Sequence, residues 1–310
     1  MGQFMLALLY LYGEKHLSDF LESYQTATPE LIVSSTFPYY KQTDTHLFFP
    51  MPLLLSANFE NISPSESHSG TYQKIQAMIR RKEYKKIQFL DFGSFQKIIS
   101  GENPESFLEK VSLMQFPQLV PFSITRNTIN RFSGGTLEVN KEGQLFTEDY
   151  YILQYSSEDV QEKGLFFLCH DHTEGKLEAC LRLLSHWGIG GNRSIGKGNF
   201  HFKIEDFHIQ EPQNPNALMN LSLYHPTDEE ISYYKQNSQT FVYQLLTRRG
   251  FFGELINKKF QKKPLFYFKE GSVFPFLHRD SYGKNVIELD KVHRYGMPLM
   301  IKVLVNNLNN

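Results

Sequence analysis

The sequence predicts an α+β fold in two tandem units, and three observations carry the prediction. Helix-period and strand-like apolar patterns alternate along the chain. The order strand, helix, glycine-rich loop, strand between Tyr150 and Ile209 is that of a ferredoxin-like (RRM-like) unit, in which helices cover one face of an antiparallel sheet. Beyond a proline- and asparagine-rich linker, a second run of strands around one helix repeats the same classes of element.

From Phe4 to Tyr24, Met5, Leu8, Leu9, Tyr12, Leu17, Phe20 and Leu21 recur at helical spacing, so the chain opens on an amphipathic helix. Leu31 to Phe37 is β-branched and reads as a strand, and the aromatic, proline-rich run from Phe37 to Ser56 reads as extended loop. A Ser/Pro/Gly-rich surface loop follows at 61–74, then the basic run Arg80–Lys86, which reads as the solvated face of a helix.

Pro121–Arg131 is predicted as an extended arm turned at Ser133–Thr136, and Tyr150–Tyr155 and Gly164–Cys169 as strands. Leu177–Trp187 reads as a short helix, and Asn199–Ile209 alternates with period two, as a strand does. The linker Glu211–Asn216 divides a unit at 1–210 from one at 211–310. In the second unit a strand near Ala217 precedes a helix started by Thr227, with three acidic residues in its first turn, and further strands.

At 310 residues with a formal charge of -1, the chain has no overall cationic field, so any nucleic-acid site must be a local basic surface. The apolar neighbours of Cys169 and Cys180 suggest ordinary buried thiols, in keeping with a reducing cytoplasm. The apolar N-terminus lacks a basic leader and a cleavage site, and no segment is long enough to span a bilayer, so no membrane association is expected.

The segment Gly188–Gly198 (GIGGNRSIGKG) places five glycines among eleven residues, interleaved with Asn192, Arg193, Ser194 and Lys197. Such a segment turns sharply and brings bare backbone N–H groups against phosphate oxygens, while Arg193 offers a bidentate donor and Ser194 a hydroxyl. A helix cap at Gly188 with a hairpin turn is the structural alternative, although it needs one or two glycines rather than five. Gly191–Lys197 also matches the glycine and lysine spacing of a P-loop. Gly198 stands where that motif needs Ser or Thr, and the loop leaves a helix for a strand, the reverse of a P-loop's setting. A dinucleotide fold is excluded because Arg193 stands where its third glycine would be.

His186–Phe202 (HWGIGGNRSIGKGNFHF) resembles the signature loop of the RAMP superfamily of CRISPR proteins. With Thr125–Arg131 (TRNTINR), SSTFPYY at Ser34, FYFKEGSVF at Phe266 and the terminal YGMPLMIKV, the chain is similar to the Csm-four subunit family of type III-A (Csm) effector complexes. The resemblance implies tandem ferredoxin-like domains and a non-catalytic subunit of the antiviral complex, without cofactor or metal. Such a subunit holds the five-prime handle of the CRISPR RNA and docks the large polymerase/cyclase-like subunit and the backbone RAMP subunits. By the same resemblance Gly188, Gly190, Gly191, Arg193, Ser194, Gly196 and Gly198 cradle handle phosphates. Arg126, Asn127, Asn130 and Arg131 lie on an inserted arm beside the RNA, where their arginines and amides suit a single strand.

The chain departs from the family at its start: Met1 falls at the first helix, so the first domain is expected to lack its N-terminal strand, and an upstream reading frame or a neighbouring fragment to encode it. The competing reading is a RAMP endoribonuclease that processes CRISPR RNA with a histidine acid or base. His170, His172, His186 and His201 are its candidates, and a polar turn after a strand explains the first two without catalysis. Trp187, the single tryptophan, is read as a helix-end packing residue rather than a base-stacking one.

Overall fold

The computed structural model describes residues 1–26, 28–53, 87–102, 116–139, 142–143, 145–155, 159–249, 262–288 and 292–306. The polar stretch at 61–74 and the basic run at 80–86 lie outside them.

Helix α1 (Gly2–Ser23) buries Phe4, Ala7, Leu8 and Phe20, as its periodicity predicts, but it is broken at Gly13, whose φ of 84° is non-helical. It packs against α3 (Lys176–Trp187), which buries Leu177, Cys180 and Leu184. Together they enclose a core with Tyr24 and Leu31, and the Tyr24 hydroxyl donates to the Leu31 carbonyl at 2.5 Å.

Beneath the helices, β1 (Leu31–Val33) and β2 (Phe37–Lys41) run in line. Next come β3 (Thr45–Pro50), β4 (Phe89–Asp91) and α2 (Phe92–Ile99). Sheet order is β4-β3-β2-β9, where β9 is Glu162–Phe166, and β1 continues the pairing with β10 (Cys169–Asp171), all antiparallel. The run from Phe37, expected as loop, is therefore largely strand. Pro38 and Pro50 lie outside the Tyr39–Lys41/Thr45–Leu47 ladder, where the absent N–H groups cost little, and the aromatic residues fill the pleat.

The sheet is two-faced. Leu31 and Val33 meet the helix core, whereas Ile32, Phe37, Phe166 and Leu168 meet a second core. That second core contains Phe49, Leu90, Phe95, Ile98 and Ile99, and it also takes Ala217, Met219 and Val273 from the C-terminal part of the chain.

Between β4 and β9 an arm is interposed. Strands β5 (Gln118–Asn127) and β8 (Leu145–Gln154) pair along their whole length, with the short β6 (Glu138–Val139) and β7 (Glu142–Gly143) paired near the far end. Past residue 210, β11 (Ala217–Asn220) is the central strand of a sheet with β14 (Val273–Pro275) and β17 (Met300–Val303), in the order β14-β11-β17. Strands β12 (Leu245–Arg248) and β13 (Leu265–Phe268) form a hairpin, as do β15 (Val286–Glu288) and β16 (Val292–Arg294).

Helix α4 (Asp228–Gln236) starts at the predicted Thr227 through a capping box. The Thr227 hydroxyl accepts from the Glu230 N–H, and the Glu230 carboxylate accepts from the Thr227 N–H. The architecture is α+β.

Two further expectations are corrected. Asn199–Ile209 forms no β-ladder, although Phe200 packs on the helix core and Ile209 on the second core. Cys169 is exposed on β10, which pairs with β1 alone among the described residues, while Cys180 is buried in the helix core.

Candidate nucleic-acid interface

The glycine loop is closed at its base by backbone contact. The Gly188 N–H caps α3 on the Leu184 carbonyl at 2.8 Å, and the Ile189 N–H donates to the Gly198 carbonyl at 2.9 Å. Gly188 (φ 79°) and Gly198 (φ 77°) both adopt a backbone that other residues resist. A Cβ on Gly188 would lie 2.4 Å from the Lys197 carbonyl oxygen, and one on Gly198 would lie 2.0 Å from that of Ile189. No side chain fits at either position without opening the base. Asn199 secures the exit, its amide donating to the His186 carbonyl at 2.7 Å.

Within this closed base, Arg193–Ile195 makes a single 3-10 turn, and the Ile195, Gly196 and Lys197 N–H groups donate back to Asn192 and Arg193 carbonyls. The N–H groups of Gly190, Gly191, Asn192, Arg193 and Ser194 have no hydrogen-bond partner among the described residues. Five successive unpaired donors on a surface loop are groups that an anion can engage. Arg193 half-packs beside it, with its guanidinium 5.9 Å from the Trp187 ring centre and Nη1 donating to Gln3 Oε1 at 3.3 Å. Trp187 itself meets Tyr10 edge-on at 4.8 Å, which agrees with the packing role expected for it.

The loop approaches the arm where Lys197 Nζ lies 5.6 Å from the Tyr150 ring centre. Tyr150 accepts from Arg126 Nη2 at 3.2 Å and donates to the Glu148 carboxylate. Arg126 Nε is 2.7 Å from Glu148 Oε2, so its charge is largely answered within the arm. The four arm candidates therefore separate. Asn127 is exposed at the end of β5, whereas Asn130 holds the turn, accepting the Phe132 N–H on its side chain and the Gly134 N–H on its carbonyl. Arg131 is exposed beside a fully exposed Phe132.

At about 3.3 Å per residue, the strand from Phe122, which faces Tyr150, to Asn127 alone spans roughly 17 Å. The loop and Arg126 thus form one neighbourhood, and the tip with Asn130 and Arg131 forms another. Lys197 and Tyr150, which sequence reasoning did not single out as site residues, join the loop to Arg126, and a contact between positions so distant in the chain leaves no sequence signal. His170, His172, His186 and His201 are all exposed, on β10, just after it, at the end of α3 and past the loop. Among the described residues no three His, Cys, Asp or Glu side chains converge as metal ligands.

Residues 213–303 match the family model of the CRISPR Csm4 C-terminal domain. No curated protein matches the chain. Among solved structures, a chain of the Csm1-Csm4 cassette in complex with cA4 superposes with a TM-score of 0.59 at 15% identity, over 99% of this chain and 90% of that one. A chain of the Csm3-Csm4 subcomplex in the type III-A CRISPR-Cas interference complex gives 0.56 at 16% identity, over 96% and 90%. The same cassette in complex with pppApA gives 0.55 at 15%, over 98% and 90%. At these identities the likeness is one of fold.

Proposed function

Because this chain carries a Csm4 C-terminal domain and the fold found in solved Csm4-containing assemblies, we propose that it is the guide-RNA-binding subunit of a type III-A CRISPR effector complex. It holds the five-prime handle of the CRISPR RNA and docks the large subunit and a backbone RAMP subunit, the partners named in the solved cassette and subcomplex. One observation carries the RNA assignment: five consecutive unpaired backbone N–H groups stand on a loop clamped shut by Gly188 and Gly198 and flanked by Arg193 and Lys197.

Backbone donors and a planar guanidinium recognise phosphate oxygens without regard to base. A single-stranded handle supplies such phosphates in series. The Lys197–Tyr150 contact brings the arm alongside, so an RNA leaving the loop meets the arm's exposed ring and amide groups. The subunit acts by holding RNA, not by cutting it.

Filter binding of the purified chain to repeat-derived handle RNA at two salt concentrations tests this reading. Affinity should fall with salt, since each phosphate contact releases counterions, and Arg193→Ala should weaken binding and lower the salt slope by about one. The RNA should be recovered intact. Specific cleavage abolished by His172→Ala would establish the endoribonuclease instead, and unchanged retention by Arg193→Ala would reduce the chain to a protein-only adaptor.

A further inference from the structure

With a formal charge of -1, the chain can meet RNA only on a local basic surface. The glycine loop offers two cations for it, Arg193 and Lys197, and Glu148 already answers Arg126 on the arm. A second group of cations lies in the C-terminal part. Arg248 ends β12 opposite Leu265, the first residue of β13, and Arg249, Lys262 and Lys263 flank the same end of the hairpin. Arg248, Arg249 and Lys263 are exposed, and Lys262 is partly so. Among the described residues from Val242 to Lys269 there is no Asp or Glu, and Arg248, Arg249 and Lys263 enter no described ion pair.

Like charges gathered in this way repel one another unless an anion answers them. The fold nevertheless holds them together. Buried Arg294, on β16, donates to the Lys263 carbonyl at 2.5 Å and to the Arg248 carbonyl at 3.0 Å, so one guanidinium ties the two strand ends and adds its own charge beneath them. The next residue, Tyr295, seats this junction on the N-terminal part of the chain. Its hydroxyl accepts the Val33 N–H at 3.3 Å, and its ring meets that of Tyr24 edge-on at 5.8 Å.

The junction also lies beside the glycine loop. Gln3, in the first turn of α1, accepts from Arg193 Nη1 at 3.3 Å. Met1 is two residues away, about 3 Å along the helix axis. Burial lowers the pKa of its amino group, and the nearby charge of Arg248 lowers it further. One helical turn therefore has the loop at one side and the hairpin end at the other. Phe266, paired opposite Thr247 at that end, leaves 58% of its surface exposed, a ring on which a base can stack.

We propose that Arg248, Arg249 and Lys263, at the end of the β12–β13 hairpin, form a second phosphate-binding site for the same single-stranded RNA, which passes from the glycine loop over the first turn of α1 to these cations and Phe266. The proposal rests on the RNA-binding reading of the loop and extends it to the C-terminal part of the chain. Cations and an exposed ring also suit an acidic protein surface. RNA is favoured because it carries its charges in series, as the N–H groups of Gly190–Ser194 and the hairpin cations would meet them, and such recognition is of backbone rather than of base.

Filter binding of the full chain to handle RNA tests this. Arg249→Gln combined with Lys263→Gln removes two charges and no described side-chain hydrogen bond, so the thermal midpoint should stay where it is. Affinity should fall about tenfold and the salt slope by about 1.4, since each phosphate contact on a single strand contributes about 0.7. Adding Arg193→Ala should multiply the two losses, as for sites without shared partners. Wild-type affinity and slope in the hairpin variant, with a loss in Arg193→Ala, would overturn the second site and leave the loop standing. The opposite pattern would uphold the hairpin cations as an RNA site and refute the loop reading. A hairpin variant that binds RNA normally but no longer copurifies with a partner subunit would assign these cations to an acidic protein surface and end the proposal.

Discussion

Replacing Gly198 by alanine strikes the base of the loop. Its φ of 77° costs an L-residue about 1–2 kcal/mol, and the new Cβ would stand 2.0 Å from the Ile189 carbonyl oxygen. The backbone must move to relieve that overlap, which breaks the 2.9 Å Ile189–Gly198 hydrogen bond, a further ~0.5–1.5 kcal/mol. The loop lies at the surface beyond α3, so the loss is local and the thermal midpoint of the chain should move by no more than a few degrees. RNA binding should respond more. Each charge-assisted N–H to phosphate bond forfeited by the opened loop is worth about 1.5–3 kcal/mol, so handle affinity should fall by tenfold or more.

Gly191→Ala is the control, because that position has open space around its Cβ and an ordinary φ. It should leave stability unchanged and cost less affinity than Gly198→Ala. Filter binding paired with thermal denaturation separates these outcomes. Wild-type affinity in Gly198→Ala, or equal losses in both variants, would refute the claim that the clamped base holds the donors in place.

Other consequences can be checked on the same material. Arg131→Ala should weaken RNA binding more than Arg126→Ala, since Glu148 and Tyr150 already engage Arg126; the reverse order in filter binding would mean that the ion pair opens for RNA. Glu230→Ala removes the acceptor for the Thr227 and Gly283 N–H groups, at 2.6 Å and 3.0 Å, and should cost about 1–3 kcal/mol in urea denaturation with handle binding unchanged. A thiol reagent should label exposed Cys169 in the folded chain well before Cys180, whose thiol burial pushes up to about 11; equal rates would contradict the helix packing.

What the sequence made legible was local. The period of Leu177, Cys180 and Leu184 and the glycine after Trp187 placed α3 and its end, and Thr227 with Glu230 placed the start of α4. The glycine spacing marked the loop, because only glycine tolerates the φ and the carbonyl approach found at 188 and 198. What escaped was non-local. The prolines of Phe37–Pro50 suggested loop, yet the register with β9 and β3 leaves Pro38 and Pro50 where no ladder donor is needed. The alternation of Asn199–Ile209 did reflect a two-faced environment, but alternation cannot report whether a neighbouring strand supplies hydrogen bonds. Nor could spacing reveal that Glu148 engages Arg126, or that Asn130 closes a turn.

On the proposed reading, RNA phosphates sit on the unpaired N–H groups of Gly190–Ser194. Photo-crosslinking a guide RNA with its five-prime handle to the assembled complex, followed by peptide mapping of this chain, tests it directly. Crosslinks should run from handle nucleotides to the segment 188–198 and to the neighbouring Tyr150. Handle crosslinks confined to other parts of the chain, with none in that loop, would contradict it.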